Sequence, residues 1–382
     1  MANSARSSGN ATVMPAHPAF AHALDFAAHQ CRQLIEKHPG YTPMYTVGGK
    51  WKQEGELWTH WCEGFYPGIF WLLHKHTGDP FWRRHAEAYS ERLAPRRFDR
   101  KVHDLGFLFF STYLRWYHLT GAAALRDVLV DAGRTLALRR QMGGYLASFM
   151  GPESLFIDIM MNVGIILWAA NVTQSAALRE IALEHCRTTE QYLVRADGGT
   201  AHEAIFDVTT GAFVRQSTQQ GFGPGSTWTR GLAWALYGFA AVHRLSGATE
   251  FLDAARRCAD CYLRRAPASL VPNWDFDAPA DGKQPLDSSA AAIAASGLLD
   301  LAELGGFEPE RQKYHDAALR ILETLCTPAF LAESRPGWEG ILLHGVYHLH
   351  KGLGVDESVA WGDHFFVEAL VKAVGGCSDA AW

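Results

Sequence analysis

The feature that most restricts this chain is a unit repeated five times: an apolar helix-forming stretch, a short Thr-Gly-like link, then an amphipathic stretch rich in Arg, Glu and Ala. The copies run from Gly64 to Leu93, Asp104 to Leu136, Asp158 to Leu193, Thr229 to Leu263 and Asp287 to Leu325. Their links fall at Thr77-Gly78, Thr120-Gly121, Thr173-Gln174-Ser175, Ser246-Gly247 and Gly305-Gly306. Residues 18–37 supply one further helix before the first copy, and Gly362 to Val374 another after the last. A helix apolar nearly all round must be covered on every side, and a ring of hairpins does that. The spacing between copies is uneven, which argues against a solenoid of fixed repeat length. The expected fold is therefore all-α: an (α/α)6 barrel of six helical hairpins, with an active-site cleft built by loops at one end. With no Pro/Gly/Ser-rich linker, 18–382 reads as a single domain. Residues 1–17, polar and small, read as a flexible lead with no signal-peptide pattern.

The long inserts fall between hairpins, at 38–62, 94–103, 141–157, 194–228, 264–286 and 327–361, all on one side of such a barrel. The most informative border is Gln216 to Phe239, where a loop punctuated by Gly221, Gly223, Pro224 and Gly225 gives way to an apolar helix after Ser226 and Thr227. It carries Gln220, Trp228, Arg230 and Trp234. Indole faces stack on sugar rings and a guanidinium grips a carboxylate in bidentate fashion, although an ordinary helix start with core Trp fits as well. Of 13 tryptophans, Trp51, Trp58, Trp61, Trp228, Trp274, Trp338 and Trp361 lie on inserts, which again suits sugar stacking.

Two aspartates open inner helices in apolar surroundings, Asp104 and Asp158. Each could be a helix cap. Asp158, between Leu155-Phe156-Ile157 and Ile159-Met160-Met161, sits where desolvation raises a carboxyl pKa. If the ring closes, both face one cavity, and like-charge repulsion keeps one protonated near neutral pH, as a general acid requires. His202 lies on an insert, as a solvated side chain or a substrate contact. His344, His348 and His350 hint at a metal, but no H-E-x-x-H or companion Cys/Asp set completes a site, so no metal and no cofactor is expected. Nucleophile-elbow, Walker and dinucleotide motifs are missing from the sequence. The net charge of -5 argues against nucleic acid and anionic membrane, and no apolar run is long enough for a span. Seven scattered cysteines fit a reducing cytoplasm, with the C-x-x-C of Cys258 and Cys261 inside an amphipathic helix.

Several motifs together resemble glycoside hydrolase family 88, the unsaturated glucuronyl hydrolases. They are Trp61-Cys-Glu-Gly-Phe-Tyr-Pro-Gly, His103-Asp104-Leu-Gly-Phe, Ile157-Asp158 with Asn162, Gln220-Gly-Phe, Trp228-Thr-Arg230-Gly, Pro272-Asn-Trp274-Asp-Phe, Asp287-Ser-Ser-Ala-Ala-Ala and Trp361-Gly-Asp363. They occur in order between about residues 55 and 375. The resemblance implies a six-hairpin barrel and an enzyme acting on oligosaccharides that end in a 4,5-unsaturated uronate. Such an enzyme hydrates the C4=C5 vinyl ether. By resemblance Asp158 is the acid and then the base, and Asp104 orients substrate and tunes it. His202, Gln220, Trp228, Arg230 and Trp234 are expected around the unsaturated ring, with Trp61, His103 and, on position alone, Tyr347. Where the family often has a tryptophan before the acid, this chain offers Phe149, a smaller platform. No basic run marks a sulfate site, which favours lightly sulfated or unsulfated substrates. The alternatives are an unsaturated rhamnogalacturonyl hydrolase, a sugar 2-epimerase and a non-catalytic glycan-binding barrel. A monomer or homodimer is expected.

Overall fold

Thirteen helical segments carry the fold in the computed structural model, which describes residues 17–52 and 60–375. Trp58, Cys377 and the expected lead up to residue 16 lie outside the described residues. In chain order the helices are α1 (Pro18–Lys37), α2 (Phe65–Thr77), α3 (Pro80–Glu91), α4 (Leu105–Phe109), α5 (Arg115–Thr120), α6 (Ala123–Ala137), α7 (Gly164–Thr173) and α8 (Ala176–Leu193). There follow α9 (Thr229–Ser246), α10 (Thr249–Arg265), α11 (Ser288–Leu304), α12 (Glu308–Leu325) and α13 (Ala360–Gly375). A π turn over Phe110–Leu114 joins α4 to α5, so the two make one interrupted inner helix.

The inner ring is α2, α4–α5, α7, α9, α11 and α13, and it closes because α13 packs on both α11 and α2. The outer helices α3, α6, α8, α10 and α12 each back the inner helix before them. The sixth hairpin is made from the two ends of the chain, with α1 lying outside α13. Sequence character sorts the layers. In α11 every residue from Ser288 to Ala302 is buried, whereas α10 buries Phe251, Leu252, Ala254, Ala255, Cys258, Ala259, Cys261 and Tyr262 along one stripe. Each fully buried Leu or Phe is worth ~1.5–3 kcal/mol, so the ring is held mainly by this apolar layer.

The inserts are more ordered than their sequence suggests. Among the described residues they carry seven short strands: β1 (Thr46–Val47), β2 (Lys50–Trp51), β3 (Ser154–Phe156), β4 (Glu203–Phe206), β5 (Phe213–Ser217), β6 (Gly345–His348) and β7 (Leu353–Glu357). All pairings are antiparallel, as β1–β2, the three-stranded β3–β4–β5 and β6–β7. These strands are too short to show a period of two, and β3 finds its partner β4 across 47 to 51 residues of chain (Phe156 to Glu203, Ser154 to Ile205). Of the tryptophans expected on loops, Trp51, Trp228, Trp274 and Trp361 are buried, the last inside α13, and so are not a stacking surface for sugar.

Candidate active site

Strand β3 feeds directly into a 3₁₀ turn, Ile157–Met161, that carries Asp158 ahead of α7. Asp158 therefore precedes its inner helix instead of opening it. Asp104 does stand at the N-cap position of α4, but its side chain makes no capping bond. The simple explanation of either carboxylate as a helix cap is thereby removed. Asn162 ties the two together: its Oδ1 accepts from the Phe107 N–H at 2.8 Å, and its Nδ2 donates to the Asp158 carbonyl at 3.1 Å. The approach is so close that a Cβ on Gly106 would lie 2.5 Å from the Asn162 Cα, so only glycine fits there.

Both aspartates open into one cavity. Trp61, His103, Phe149, Gln220, Arg230 and Tyr347 line it with them, as the sequence led one to expect. Each carboxylate faces a histidine held by the backbone. The His202 Nδ1 accepts the Gln219 and Gln220 N–H groups at 3.0 and 3.3 Å, and the His103 Nδ1 accepts the Phe149 N–H at 3.1 Å. A ring nitrogen that accepts carries no proton, so in both rings the hydrogen sits on Nε2. Those Nε2 atoms stand 3.6 Å from Asp158 Oδ2 and 3.4 Å from Asp104 Oδ1. The first separation exceeds a hydrogen bond, and Asp158 Oδ2 and His202 Nε2 are both buried without another partner.

The electrostatics follow from this burial. Desolvation, then repulsion from Asp158, pushes the Asp104 carboxyl up to about 8. Desolvation, opposed by the Arg230 charge, places Asp158 at about 6. Burial lowers His202 to about 3 and holds His103 well below its ordinary value, so both histidines stay neutral. The site is a pair of carboxyls that favour their protons, with neutral N–H groups aimed at them.

Some expectations need correction. Trp228 and Trp234 are 2% and 1% exposed and stand behind the wall, Trp228 against His202 and Arg230, Trp234 against Phe107 and Phe365. Arg230 reaches the cavity, but it does not offer the expected bidentate grip. Its Nη1 donates to Asp287 Oδ2 at 3.2 Å and to the Val346 carbonyl, and its Nη2 to Gln220 Oε1 at 2.6 Å and the Tyr347 carbonyl at 2.8 Å. A buried guanidinium must be satisfied inside the fold, and here that need fixes Gln220. His202 is behind the lining, with its Nε2 facing Asp158 Oδ2. The three C-terminal histidines diverge: His344 contacts Asp356, His350 the Gly221 carbonyl, and His348 the cavity. Phe156, Gln219, His348 and Lys351 also line the cavity and were not anticipated. Gln219 was the neighbour of a named residue, while His348 and Lys351 depend on the unread β6–β7 hairpin.

Comparison with known proteins agrees with this geometry. Residues 35–333 match the family model described as Glycosyl Hydrolase Family 88. The chain is 35% identical to an unsaturated glucuronyl hydrolase of Bacillus sp. (strain GL1), covering 83% of this chain and 87% of that protein. It is 30% identical to an unsaturated chondroitin disaccharide hydrolase of Streptococcus pyogenes serotype M1, with 82% and 81% covered. A crystal structure of the Bacillus sp. GL1 enzyme, described as responsible for the degradation of glycosaminoglycan, superposes with a TM-score of 0.88, covering 94% of this chain and 97% of that one. Its helical barrel is that of the present chain.

Proposed function

The chain belongs to glycosyl hydrolase family 88 and is a glycoside hydrolase, and from that premise we propose that it removes a 4,5-unsaturated uronate from the non-reducing end of lyase-made oligosaccharides, using Asp158 as acid and base. The observation that carries this is the pair of buried carboxyls, Asp104 and Asp158, in one cavity with their pKa values raised to different degrees. Paired carboxyls with unequal pKa values suit a proton-transfer reaction.

Protonated Asp158 gives its hydrogen to C4 of the vinyl ether, and the C4=C5 electron pair forms the new C–H bond. Positive charge then rests on C5 and the ring oxygen. Water adds through its oxygen to C5 and loses a proton to the Asp158 carboxylate, which restores the acid. The hemiketal at C5 opens to a ketone, and the hemiacetal left at C1 expels the remaining sugar. Asp104 keeps its proton through neutral pH and stands beside this sequence as an uncharged hydrogen-bond donor. The His202 N–H stabilises Asp158 each time it becomes a carboxylate. Gln220, with its oxygen pinned by Arg230, is left with its amide N–H groups for a sugar oxygen. Phe149 and Trp61 offer apolar surface to the rings.

The test is the decay of ultraviolet absorbance from the conjugated C4=C5 uronate across a panel of unsaturated disaccharides. Decay that Asp158→Asn abolishes supports the proposal; no decay with any member, with saturated sugars isomerised instead, sinks it. Because the acid must start protonated, turnover should decline as pH rises through about 6. We place the enzyme in a reducing compartment such as the cytoplasm: Cys258 and Cys261 are buried in α10, with burial raising both thiols away from the reactive range. Among the described residues no helix is long and apolar enough to cross a membrane.

A further inference from the structure

A second hollow, of about 410 Å³, shares Phe149 with the cavity of the two carboxyls. Arg100, Lys101 and Arg139 line it together with Leu138, Phe149 and Pro152, and its lining holds no acidic residue. The sequence shows no basic run here; the fold gathers the three cations from a loop and from the segment just after α6. Arg139 stitches the hollow together. Its Nε donates to the Ala147 carbonyl and its Nη1 to the Arg100 carbonyl, both at 2.6 Å, and its Nη2 to the Ser148 carbonyl. Its acceptors are carbonyls and not carboxylates, although burial disfavours its charge and the charges of Asp104 and Asp99 act on it from beyond hydrogen-bond range. Among the described residues Arg100, Lys101 and Arg139 form no ion pair. The contrast is close by: Arg96, in the neighbouring hollow, is answered by both Glu63 and Asp99.

We propose that this hollow is a subsite for an anionic group, a carboxylate or a sulfate ester, on a sugar unit beyond the terminal disaccharide. It rests on the reading of the main cavity as the site for the unsaturated uronate. Phe149 belongs to the walls of both cavities, so a chain leaving the first over that ring enters the second. Leu138 is 62% exposed and Phe149 36%, which offers apolar surface to the C–H faces of a sugar while the cations hold its charge. Both exposed cations carry long side chains that gain most from an anion at low ionic strength. The enzyme would therefore prefer longer anionic chains over neutral ones of equal length, and would lose that preference in salt.

The test uses Arg100→Ala/Lys101→Ala, two exposed positions, and compares kcat/KM on four unsaturated substrates. These are a disaccharide, a tetrasaccharide with neutral second to fourth units, one with a carboxylate on its third unit, and a sulfated one. The wild type should favour an anionic tetrasaccharide over the neutral one, and the double variant should lose about fivefold of that ratio, the size expected for screened surface charges. A fall with the carboxylate chain assigns a carboxylate site; a fall only with the sulfated chain assigns a sulfate site. An unchanged ratio with both overturns the subsite, and leaves the catalytic reading intact if the disaccharide is still consumed. If the wild type consumes none of the four, the catalytic reading fails and the subsite with it.

Discussion

Two sets of buried carboxylates in this barrel, one at the mouth and one along α13, behave in opposite ways. At the mouth, Asp104 and Asp158 are pushed up to about 8 and about 6, because burial outweighs the cations around them. About two turns down the inner helix α13, Glu368 is held at about 2 although it is fully buried. Lys372 stands 3.5 Å from it, Arg115 pairs with it, and the Tyr237 and Ser296 hydroxyls donate at 2.6 and 2.7 Å. Lys372 also pairs with buried Asp300 at 2.8 Å. The same desolvation acts in both places, so partners decide the outcome. The lower cluster ties α5, α9, α11 and α13 into one ring. The mouth leaves Asp158 Oδ2 and His202 Nε2 buried without hydrogen-bond partners, 3.6 Å from each other.

The largest effect expected from this contrast is on turnover. Asp158→Asn should cut kcat by about a thousandfold, within the range of general acid–base catalysis. Affinity for the unsaturated disaccharide, measured by calorimetry, should persist, and thermal stability should hold or rise because a costly buried carboxyl has gone. A large loss of stability instead would mean that Asp158 is a structural group like Glu368. Lys372→Met is the mirror experiment. It leaves Glu368 and Asp300 buried with less cation to balance them, and should cost about 3–5 kcal/mol in unfolding free energy. Folded protein that remains should retain the substrate's KM. If Lys372→Met proves neutral, the lower cluster is not the lock of the ring.

A smaller effect separates the two regions by pH. A carboxyl whose folded pKa is raised contributes fully to stability when protonated, below its unfolded value near 4, and loses that contribution as pH rises. For Asp104 the loss extends to about pH 8. Glu368 runs the other way: its contribution is present above its unfolded value of about 4.3 and is lost as pH falls toward about 2. Asp104→Asn should therefore gain in melting temperature relative to wild type as pH goes from about 5 to 8. A flat difference over that window would show that Asp104 keeps no raised pKa.

Much of this arrangement was legible in the sequence because the periodicity is local. The five hairpins were visible with their links nearly in place, and α1 runs over the span read from the sequence, Pro18–Lys37. Asp104 and Asp158 stood out as charges in apolar surroundings, which is a one-residue signal. What failed was whatever depended on contacts distant along the chain. The Arg230 donors are taken up by carbonyls on β6, over a hundred residues away, so nothing near it could show that it is a strut. Trp228 and Trp234 have the composition of a sugar platform, and only three-dimensional burial puts them behind the wall. The basic hollow was hidden for the same reason, since Arg100 and Arg139 meet across 39 residues.

The smallest expected effect lies at Phe149, where the mouth differs from the core in tolerance as well as in charge. The ring is 36% exposed, stacked on His103 with centroids 5.5 Å apart, and meets Phe156 edge-on. Its outer edge has room, so Phe149→Trp should change unfolding free energy by no more than about 0.5 kcal/mol, as surface changes do. Enlarging Phe365 to Trp, fully buried between Trp234, Tyr237 and His364, should cost about 1–3 kcal/mol through overpacking. On the proposed function, the wider indole at 149 extends the shelf offered to the sugar next to the unsaturated ring. KM for an unsaturated disaccharide should then fall about threefold with kcat nearly constant, because stacking of ~0.5–1 kcal/mol made equally in ground and transition states acts on binding alone. A fall in kcat without a change in KM would mean that the larger ring disturbs His103 and, through it, Asp104. In that case Phe149 would belong with the groups that position the carboxyl pair, not with the surface that receives the sugar.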